Sequence, residues 1–233
     1  NVFSGGSTND DTPTIRVSLA GIGASAGDSL QLFRAGAGAN TYSPVTLTAI
    51  NIADNYINIP TTTLAEGTYS FTARITDQVG NTSAASPAFT ITIDRTAPGL
   101  PSFKLVSDTG NSTDGITQNG SISVANLETG ASWQYSSNAG ISWIRGSGTS
   151  FTLANGTYSA GSIQVRQADL ASNLSAVASN ASAIVVDNTA PTIAISSSKP
   201  TLGLVSGNPD NATITFVLSE ATNFSLNAVQ IGS

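Results

Sequence analysis

Cysteine, histidine and methionine are absent from all 233 residues. Without cysteine and histidine, disulfides, thiolate catalysis, imidazole base catalysis and zinc sites with nitrogen or sulfur ligands are excluded. Charged residues make up only 9% of the chain, against roughly 25% in an average globular protein. The formal net charge of −6 argues against nucleic acid as a partner. No apolar run reaches the roughly 18 residues that predict a membrane-spanning helix, so no membrane insertion is expected.

The residues that are abundant favour β-structure. Hydrophobic residues account for 39% of the chain, and there are 22 glycines and 9 prolines beside many Thr, Ser, Asn and Ala residues. Disordered chains combine low hydrophobicity with high charge, which this chain does not. Thr, Val and Ile fit a pleated, half-buried surface, whereas Gly and Pro separate strands. The composition therefore predicts an all-β fold with many turns.

An internal repeat organises the chain. Asp94 follows Ile-Thr-Ile and precedes Arg-Thr-Ala-Pro, and Asp187 follows Ile-Val-Val and precedes Asn-Thr-Ala-Pro. Further upstream, residues 77–81 are matched by 169–173, and Gly-Thr-Tyr occurs at both 67–69 and 156–158. A period of roughly 90 residues is too long for a solenoid and suits whole domains in tandem. We predict a first unit at residues 1–94, a second unit at 95–187, and the incomplete N-terminal part of a third at 188–233.

Each of the first two units contains six or seven short segments of alternating apolar and polar residues. Strands of this length and spacing are typical of an immunoglobulin-like Greek-key sandwich. The sequence thus predicts tandem immunoglobulin-like β-sandwiches joined by very short linkers into a rod-like array, with no helix. The predicted strands are 12–19, 29–34, 46–52, 55–59, 67–76 and 88–93 in the first unit, 102–106, 121–124, 132–135, 142–145, 150–153, 161–167 and 183–186 in the second, and 191–196, 212–218 and 223–231 in the third.

Several motifs make the resemblance more specific. They are Asp108-Thr-Gly-Asn-Ser-Thr-Asp-Gly-Ile-Thr, Leu127-Glu-Thr-Gly-Ala-Ser-Trp-Gln-Tyr-Ser, the Gly-Thr-Tyr and Asp-x-Thr-Ala-Pro repeats, Thr8-Asn-Asp-Asp-Thr-Pro, and Ile75-Thr-Asp-Gln-Val-Gly-Asn-Thr-Ser. With these, nearly the whole chain resembles the bacterial Ig-like repeats of giant surface adhesins of the RTX and biofilm-associated type. The resemblance implies a secreted stalk on the bacterial cell surface, exported by type I secretion and stiffened by Ca²⁺. The second unit departs from the pattern once, because Ser172 stands where the first unit has Gly80.

Aspartate side chains are predicted to gather at the ends of the units, in the loops between strands. Ca²⁺ takes 6–8 oxygen ligands and favours such groups of carboxylate, amide and carbonyl oxygens. The competing interpretation is that loop aspartates only form Asx turns. The predicted groups are Asp77 and Asn81 with Asp10 and Asp11 at the beginning of the first unit, Asp169 and Asn173 with Asp94 and Asp28 at the first linker, and Asp108, Asn111 and Asp114 with Asp187 at the second linker.

The functional prediction is a non-enzymatic spacer segment of a surface adhesin, for cell adhesion or biofilm formation. Its partners would be neighbouring Ig-like domains in the same chain, and other copies or a host or abiotic surface through distal domains. Two alternatives stay open: a module that binds carbohydrate or a surface, and an accessory module of a secreted polysaccharide-degrading enzyme. An exposed strip formed by Trp133, Tyr135 and Trp143 would favour sugar binding. We predict instead that Trp133 lies in the core and Trp143 packs across a hairpin. Glu66 and Glu128 are expected to be solvated turn residues.

Overall fold

The computed structural model describes residues 2–35, 40–199 and 212–220. These ranges contain twenty β-strands and one short helix. In chain order the elements are β1 (Gly6–Thr8), β2 (Thr14–Ser18), β3 (Ser29–Ala35), β4 (Asn40–Thr41), β5 (Val45–Thr46), α1 (Ala49–Asp54), β6 (Tyr56–Pro60), β7 (Gly67–Thr76), β8 (Phe89–Ile93), β9 (Ser102–Leu105), β10 (Ile116–Thr117), β11 (Ser121–Ala125), β12 (Ser132–Ser136), β13 (Ile144–Arg145), β14 (Ser150–Thr152), β15 (Gly156–Tyr158), β16 (Gln164–Ala168), β17 (Ala178–Ser179), β18 (Ile184–Val186), β19 (Ile193–Ser197) and β20 (Ile214–Leu218).

The first unit consists of two facing sheets. One sheet has the strand order β1–β8–β7–β3–β4, with β5 also paired to β3, and the other is the antiparallel pair β2–β6. Alternation in β7 buries Tyr69, Phe71 and Ala73 on one face, where they meet Leu30 and Leu32 of β3. Ile15 of β2 and Ile57 and Ile59 of β6 belong to the same cluster, so one core lies between the two sheets.

The second unit repeats the arrangement, with β9 as an additional strand in the sheet β14–β11–β9. The strands that form the larger sheet in the first unit are divided here between β13–β12–β16–β17 and β10–β18–β15. Ile122 and Val124 of β11, Phe151 of β14 and Val165 of β16 surround Trp133 in the core. The predicted all-β sandwich class is confirmed for both units.

The prediction of strands throughout is wrong between residues 49 and 54, where the chain forms α1. The helix begins with a capping box: the Thr48 amide donates to Asn51 Oδ1 at 2.9 Å, and the Asn51 amide donates to Thr48 Oγ1 at 3.2 Å. It ends at Asn55, which adopts the left-handed conformation with φ 60°. The local hydrogen bonds of Thr48 and Asn51 therefore favour a helical turn here, although the sequence pattern predicts a strand.

The third predicted unit is described only in part. β19 and β20 form an antiparallel pair whose side chains remain largely exposed, with Ile195 at 64% and Val217 at 60% exposure. The predicted strand at 223–231 lies outside the described residues.

Candidate functional site

The linker between the first and second units begins with a turn closed by an aspartate side chain. Oδ1 of Asp94 accepts a hydrogen bond from the Thr96 amide at 3.0 Å. In the next linker, Oδ1 of Asp187 accepts one from the Thr189 amide, also at 3.0 Å. The repeated Asp-x-Thr sequence is therefore an Asx turn in both linkers.

The first unit holds its linker through Glu66, the residue before β7. Glu66 Oε1 accepts hydrogen bonds from the Arg95 amide at 3.0 Å and from Thr96 Oγ1 at 3.2 Å. The Arg95 guanidinium also forms an ion pair with Asp11, with 2.9 Å between Nη1 and Oδ2. Glu66 is exposed and lies in a bend before β7, as predicted for a solvated turn residue, and it also anchors the linker.

Asn155 takes the same role in the second unit. Its Oδ1 accepts from the Asn188 amide and its Nδ2 donates to Thr189 Oγ1, both at 3.3 Å. Like Glu66, Asn155 comes directly before Gly-Thr-Tyr. That shared position was the sequence signal for this anchor.

The second unit also holds the first linker, from the side opposite to Glu66. Nδ2 of Asn173 donates to the backbone carbonyl of Asp94 at 2.8 Å. Nε2 of Gln167 donates to the Gly99 carbonyl at 2.8 Å and to the Asn126 carbonyl at 3.0 Å, while its Oε1 accepts from the Glu128 amide at 2.8 Å. Gln167 is only 1% exposed, so these bonds are shielded from water. No sequence pattern had indicated Gln167.

The loops after β7 and β16 have the same internal hydrogen bonds. In both, the Asn amide donates to Asp Oδ1 and the Asn Nδ2 donates to Asp Oδ2, each at 2.8 Å, for the pairs Asp77–Asn81 and Asp169–Asn173. The hydrogen bonds from Asn81 hold the pKa of Asp77 below its ordinary value. Ser172 adopts φ 74° where Gly80 has φ 96°. The loop geometry is therefore kept although the glycine is lost.

The two units also share a tyrosine that ties a strand to the preceding loop. The Tyr69 hydroxyl donates to the Ala65 carbonyl and the Tyr158 hydroxyl to the Ala154 carbonyl, both at 3.0 Å. Such a tyrosine, bonded to the backbone a few residues upstream, is a mark of immunoglobulin-type sandwiches. It stands beside Glu66 and Asn155, the two linker anchors.

The structure corrects the predicted placement of Asp28, which was expected beside Asp94. Asp28 is buried, and its Oδ2 accepts from the Ser25 amide at 2.8 Å. The pairing of Ser29 with Thr76 places it at the end of β7 opposite to Gly67, whereas Gly67 pairs with Ile93 next to Asp94.

Asp10 and Asp11 are also misplaced by the prediction, which put them beside Asp77. They follow β1, whose last residue pairs with Ile93, so they lie at the linker end of the first unit. Asp10 Oδ1 accepts from the Thr12 amide at 2.9 Å. Asp11 pairs with Arg95, as described above.

Asp187 and Asp108 lie at the same end of the second unit, as predicted. The Asp187 amide donates to the Thr117 carbonyl at 2.9 Å, and the Thr117 hydroxyl donates to the Ser107 carbonyl at 2.9 Å. Oδ2 of Asp108 accepts from the Gly115 amide at 3.1 Å, whereas its buried Oδ1 has no hydrogen-bond partner among the described residues.

The other two residues predicted for this group satisfy local hydrogen bonds. Asp114 Oδ1 accepts from the Ile116 amide at 2.9 Å, and Asn111 Oδ1 accepts from Thr113 Oγ1 at 3.2 Å. In the part of the chain that the structure describes, no three His, Cys, Asp or Glu side chains are gathered closely enough to hold a metal ion. The Ca²⁺ ligand sets thus stay a prediction.

The aromatic residues of the second unit do not form an exposed strip. Trp133 is 4% exposed and its Nε1 donates to the Gly148 carbonyl at 2.9 Å. Tyr135 stacks on Phe151 with 4.0 Å between ring centroids. Trp143 is half-buried beneath the Arg166 guanidinium, 3.9 Å from the ring centroid. This arrangement disfavours the sugar-binding alternative.

Comparison with known proteins agrees with the sandwich geometry. Residues 3–95 match the family model described as a bacterial Ig-like domain. The matched residues span the first unit. Among solved structures, the chain is similar to fibronectin(III)-like modules of CbhA from Clostridium thermocellum, with 17% identity, a TM-score of 0.43, and coverage of 77% of this chain and 87% of that chain. No curated protein matches the chain.

Both units are thus Ig-like sandwiches, joined by a linker that is hydrogen-bonded on both sides. Within the described ranges, no helix has the length and apolar character needed to cross a membrane. The groups around the linker are hydrogen-bond donors and acceptors and one ion pair, an arrangement suited to fixing an angle between domains.

Proposed function

We propose that this chain is an extender segment of a secreted bacterial cell-surface adhesin, in which tandem Ig-like units hold a distal binding domain away from the cell. The match of residues 3–95 to a bacterial Ig-like domain supports the module type. The repeat supports the tandem arrangement, with units at 1–94 and 95–187 and a third beginning at 188. The role is mechanical and not enzymatic, and its partners are the neighbouring Ig-like units.

The observation that carries this proposal is the double attachment of the first linker. On one side Glu66 and Asp11 hold Arg95 and Thr96. On the other side Asn173 holds the Asp94 carbonyl. A linker with independent motion would leave these backbone groups to water, whereas a linker bound on both sides transmits the orientation of one unit to the next.

Paired substitutions test the junction. Asn173→Ala removes the bond to the Asp94 carbonyl together with the bonds inside its own loop. Asn81→Ala removes the same loop bonds in the first unit, where the described structure shows no bond from this amide to a linker. We expect residual dipolar couplings of the full chain to report one alignment tensor for both units in the parent and in Asn81→Ala, and two in Asn173→Ala. Equal tensors in both variants would contradict the extender proposal at this linker.

We further propose that Ca²⁺ stiffens the second linker. The unpartnered, buried Oδ1 of Asp108 fits a cation, since a carboxylate oxygen without a donor is costly to bury. Asp187, Asp114 and Asn111 carry oxygen atoms of the kind that Ca²⁺ takes, and they would have to move towards Asp108 on binding, because they form no ligand group in the structure as described. The bound ion would supply positive charge that holds this loop against the linker.

The first linker fits a cation poorly. Both carboxylate oxygens of Asp169 already accept hydrogen bonds from Asn173, whose amide hydrogens also face the Asp94 carbonyl. Donor hydrogens occupy the positions that a cation would need. At the first linker, hydrogen bonds would thus provide the stiffening that the family resemblance attributes to Ca²⁺.

A further inference from the structure

The outer face of the sheet β13–β12–β16–β17 in the second unit carries two arginines in one row. Gln134 of β12 lies opposite Arg145 of β13 on one side and opposite Arg166 of β16 on the other. Because the neighbouring Trp133 is in the core, Gln134 points away from the core, and residues directly opposite it share its face. With neighbouring strands about 4.8 Å apart, the Cα atoms of the two arginines are about 10 Å apart.

Arg166 is held in a fixed orientation on this face. Its guanidinium lies 3.9 Å from the centroid of the Trp143 ring, and its Nε donates to Gln134 Oε1 at 3.0 Å. Within the described ranges, neither its two Nη atoms nor the exposed side chain of Arg145 has a hydrogen bond or an ion pair. Two guanidinium groups are thus left with donors for a partner, and one of them is already oriented.

None of the strands that form this face carries an acidic residue. Residues 95–187 all lie within the described ranges, and their acidic residues are Asp108 and Asp114 in the loop before β10, Glu128 in the turn before β12, Asp169 in the loop after β16, and Asp187 after β18. The face is therefore positive on a chain whose formal net charge is −6. Such a patch favours a partner of the opposite charge.

The first unit has the corresponding arginine and glutamine but not the rest of the site. Arg74 lies opposite Gln31, as Arg166 lies opposite Gln134. The edge of that sheet, residues 40–46, contains neither tryptophan nor arginine. The stack on tryptophan and the second arginine are therefore particular to the second unit, and the fold does not require them.

Exposed apolar side chains border the arginines. Leu174, which pairs with Ala168, is 52% exposed, and Val177, next to β17, is 44% exposed. The first unit has Thr82 and Ala85 at these positions. Arginine and tryptophan are enriched in protein–protein interfaces, where apolar side chains form the core of the contact. The composition of this face therefore favours a polypeptide partner.

We propose that the outer face of this sheet binds an acidic segment of another protein. Carboxylates of the segment pair with the two guanidinium groups, whose planar forks match a carboxylate, and its apolar side chains cover the aliphatic border. We call this surface the arginine face, and it consists of Gln134, Trp143, Arg145, Arg166, Leu174 and Val177. It lies on the flank of the sandwich and not in a linker, so this binding role goes beyond that of an extender.

Other occupants fit the arginine face less well. A second copy that used the same face would bring like charges together. A sugar that stacks on tryptophan needs an open ring face, and Arg166 covers the Trp143 ring. Nucleic acid is disfavoured by the net charge of −6.

Peptide titration tests the arginine face. The probe is a fluorescein-labelled peptide in which Glu alternates with Leu, added to the full chain and followed by fluorescence anisotropy. The control peptide has Gln in place of Glu. We expect saturable binding of the acidic peptide alone, and this binding should weaken as salt is added, because exposed charge pairs are screened. Amide signals of β12 and β16 should shift on binding, whereas those of β7 should not.

Variants of the full chain assign the binding to named side chains. Arg145→Gln and Arg166→Gln should each weaken binding about ten-fold, since each removes a charge-assisted hydrogen-bonded pair. Arg74→Gln is the matched control, because it removes the same charge from the corresponding position of the first unit, and it should bind like the parent. Trp143→Leu should weaken binding and Trp143→Phe should restore most of it, because a ring again lies beneath Arg166. Circular dichroism melts check that each variant is folded.

No saturable binding of the acidic peptide, equal binding of the control peptide, or equal losses in Arg74→Gln and Arg166→Gln would overturn the proposal. Binding of polygalacturonate in place of the peptide, lost in Arg166→Gln, would make the occupant an acidic polysaccharide and overturn it too. A dimer of the parent chain that Arg145→Gln dissolves would make the occupant a second copy, with the same consequence. None of these results changes the alignment tensors that test the extender proposal.

Discussion

Trp133 shows at the scale of one residue how an aromatic side chain serves both packing and hydrogen bonding. Its ring contacts Phe151 and Tyr135, and its indole N–H reaches the Gly148 carbonyl. Gly146 lies against the ring so closely that a methyl group there would collide with it. A buried indole with a hydrogen-bond partner avoids the cost of an unpaired donor.

Replacing Trp133 by Ala should cost roughly 3–5 kcal/mol of unfolding free energy, as large aromatic deletions in cores do. A domain of this size holds only about 5–15 kcal/mol in total. Trp143→Ala is the matched control, and because Trp143 mainly stacks on Arg166, its loss should cost about 1 kcal/mol. Urea unfolding followed by circular dichroism measures both. Equal costs would show that Trp133 is not the central core residue.

At the scale of elements, the loops after β7 and β16 reach one geometry with different residues. Gly80 adopts the left-handed conformation without a Cβ atom, whereas Ser172 adopts it with a side chain. For a residue with a Cβ this conformation costs roughly 1–2 kcal/mol. A glycine at this position avoids that cost, but the net gain in stability is smaller, because glycine also makes the unfolded chain more flexible.

Exchanging the two residues should therefore have opposite effects. Ser172→Gly should raise the unfolding free energy of the second unit by about 0.5–1 kcal/mol, and Gly80→Ser should lower that of the first unit by a similar amount. Denaturant titrations monitored by signals from each unit can resolve the two. Two changes of the same sign would show that loop strain does not decide the difference.

The elements also show what the sequence could predict. β7 was predicted at residues 67–76, where the structure has it, because its alternation is uninterrupted over ten residues. α1 was missed because six residues are too few to show a helical period, and its start depends on the Thr48–Asn51 capping pair. Strong alternation of apolar and polar residues thus predicts strands. A short helix that depends on local side-chain hydrogen bonds cannot be recognised from that alternation.

The candidate site was predicted less well because it depends on topology. The sequence pattern predicts residues 12–19 as the first strand of the sandwich, but β1 precedes them and pairs with β8. That additional strand moves Asp10 and Asp11 to the linker end. Asn173 was correctly expected near Asp94, but its partner is a backbone carbonyl. Bonds between an amide side chain and a distant carbonyl leave no spacing rule in the sequence.

At the scale of the whole molecule, calcium should act on the second linker. If Ca²⁺ binds the native chain alone, about a 100-fold excess over Kd adds about 2.7 kcal/mol. Thermal melts with Ca²⁺ and with chelator should then differ by several degrees in the parent, and the difference should vanish in Asp108→Asn. Asp169→Asn, at the first linker, should keep it. Identical melts of the parent with and without Ca²⁺ would remove calcium from the proposal.

The segment 188–233 should not fold by itself. In its described part, β19 and β20 form a two-stranded sheet with exposed side chains. An isolated pair of strands is marginal in water because neither face is buried. As a separate fragment it should give a random-coil circular dichroism spectrum and be cleaved rapidly by protease, unlike residues 95–187. A cooperative melt of the fragment would contradict the third boundary.

The parallel pairing of β1 with β8 determines how the first unit responds to tension. These are its first and last strands, and they run side by side in the same direction, with Gly6 opposite Ile91 and Thr8 opposite Ile93. A pull on the two ends of the unit slides one strand along the other, so the bonds between them are stretched together instead of opening one after another. β10 and β18 repeat this parallel pairing in the second unit, although β9 precedes β10 there and takes the load first. In each sandwich the parallel pair thus meets a tensile load in shear, and resistance to stretching follows from the order of the strands.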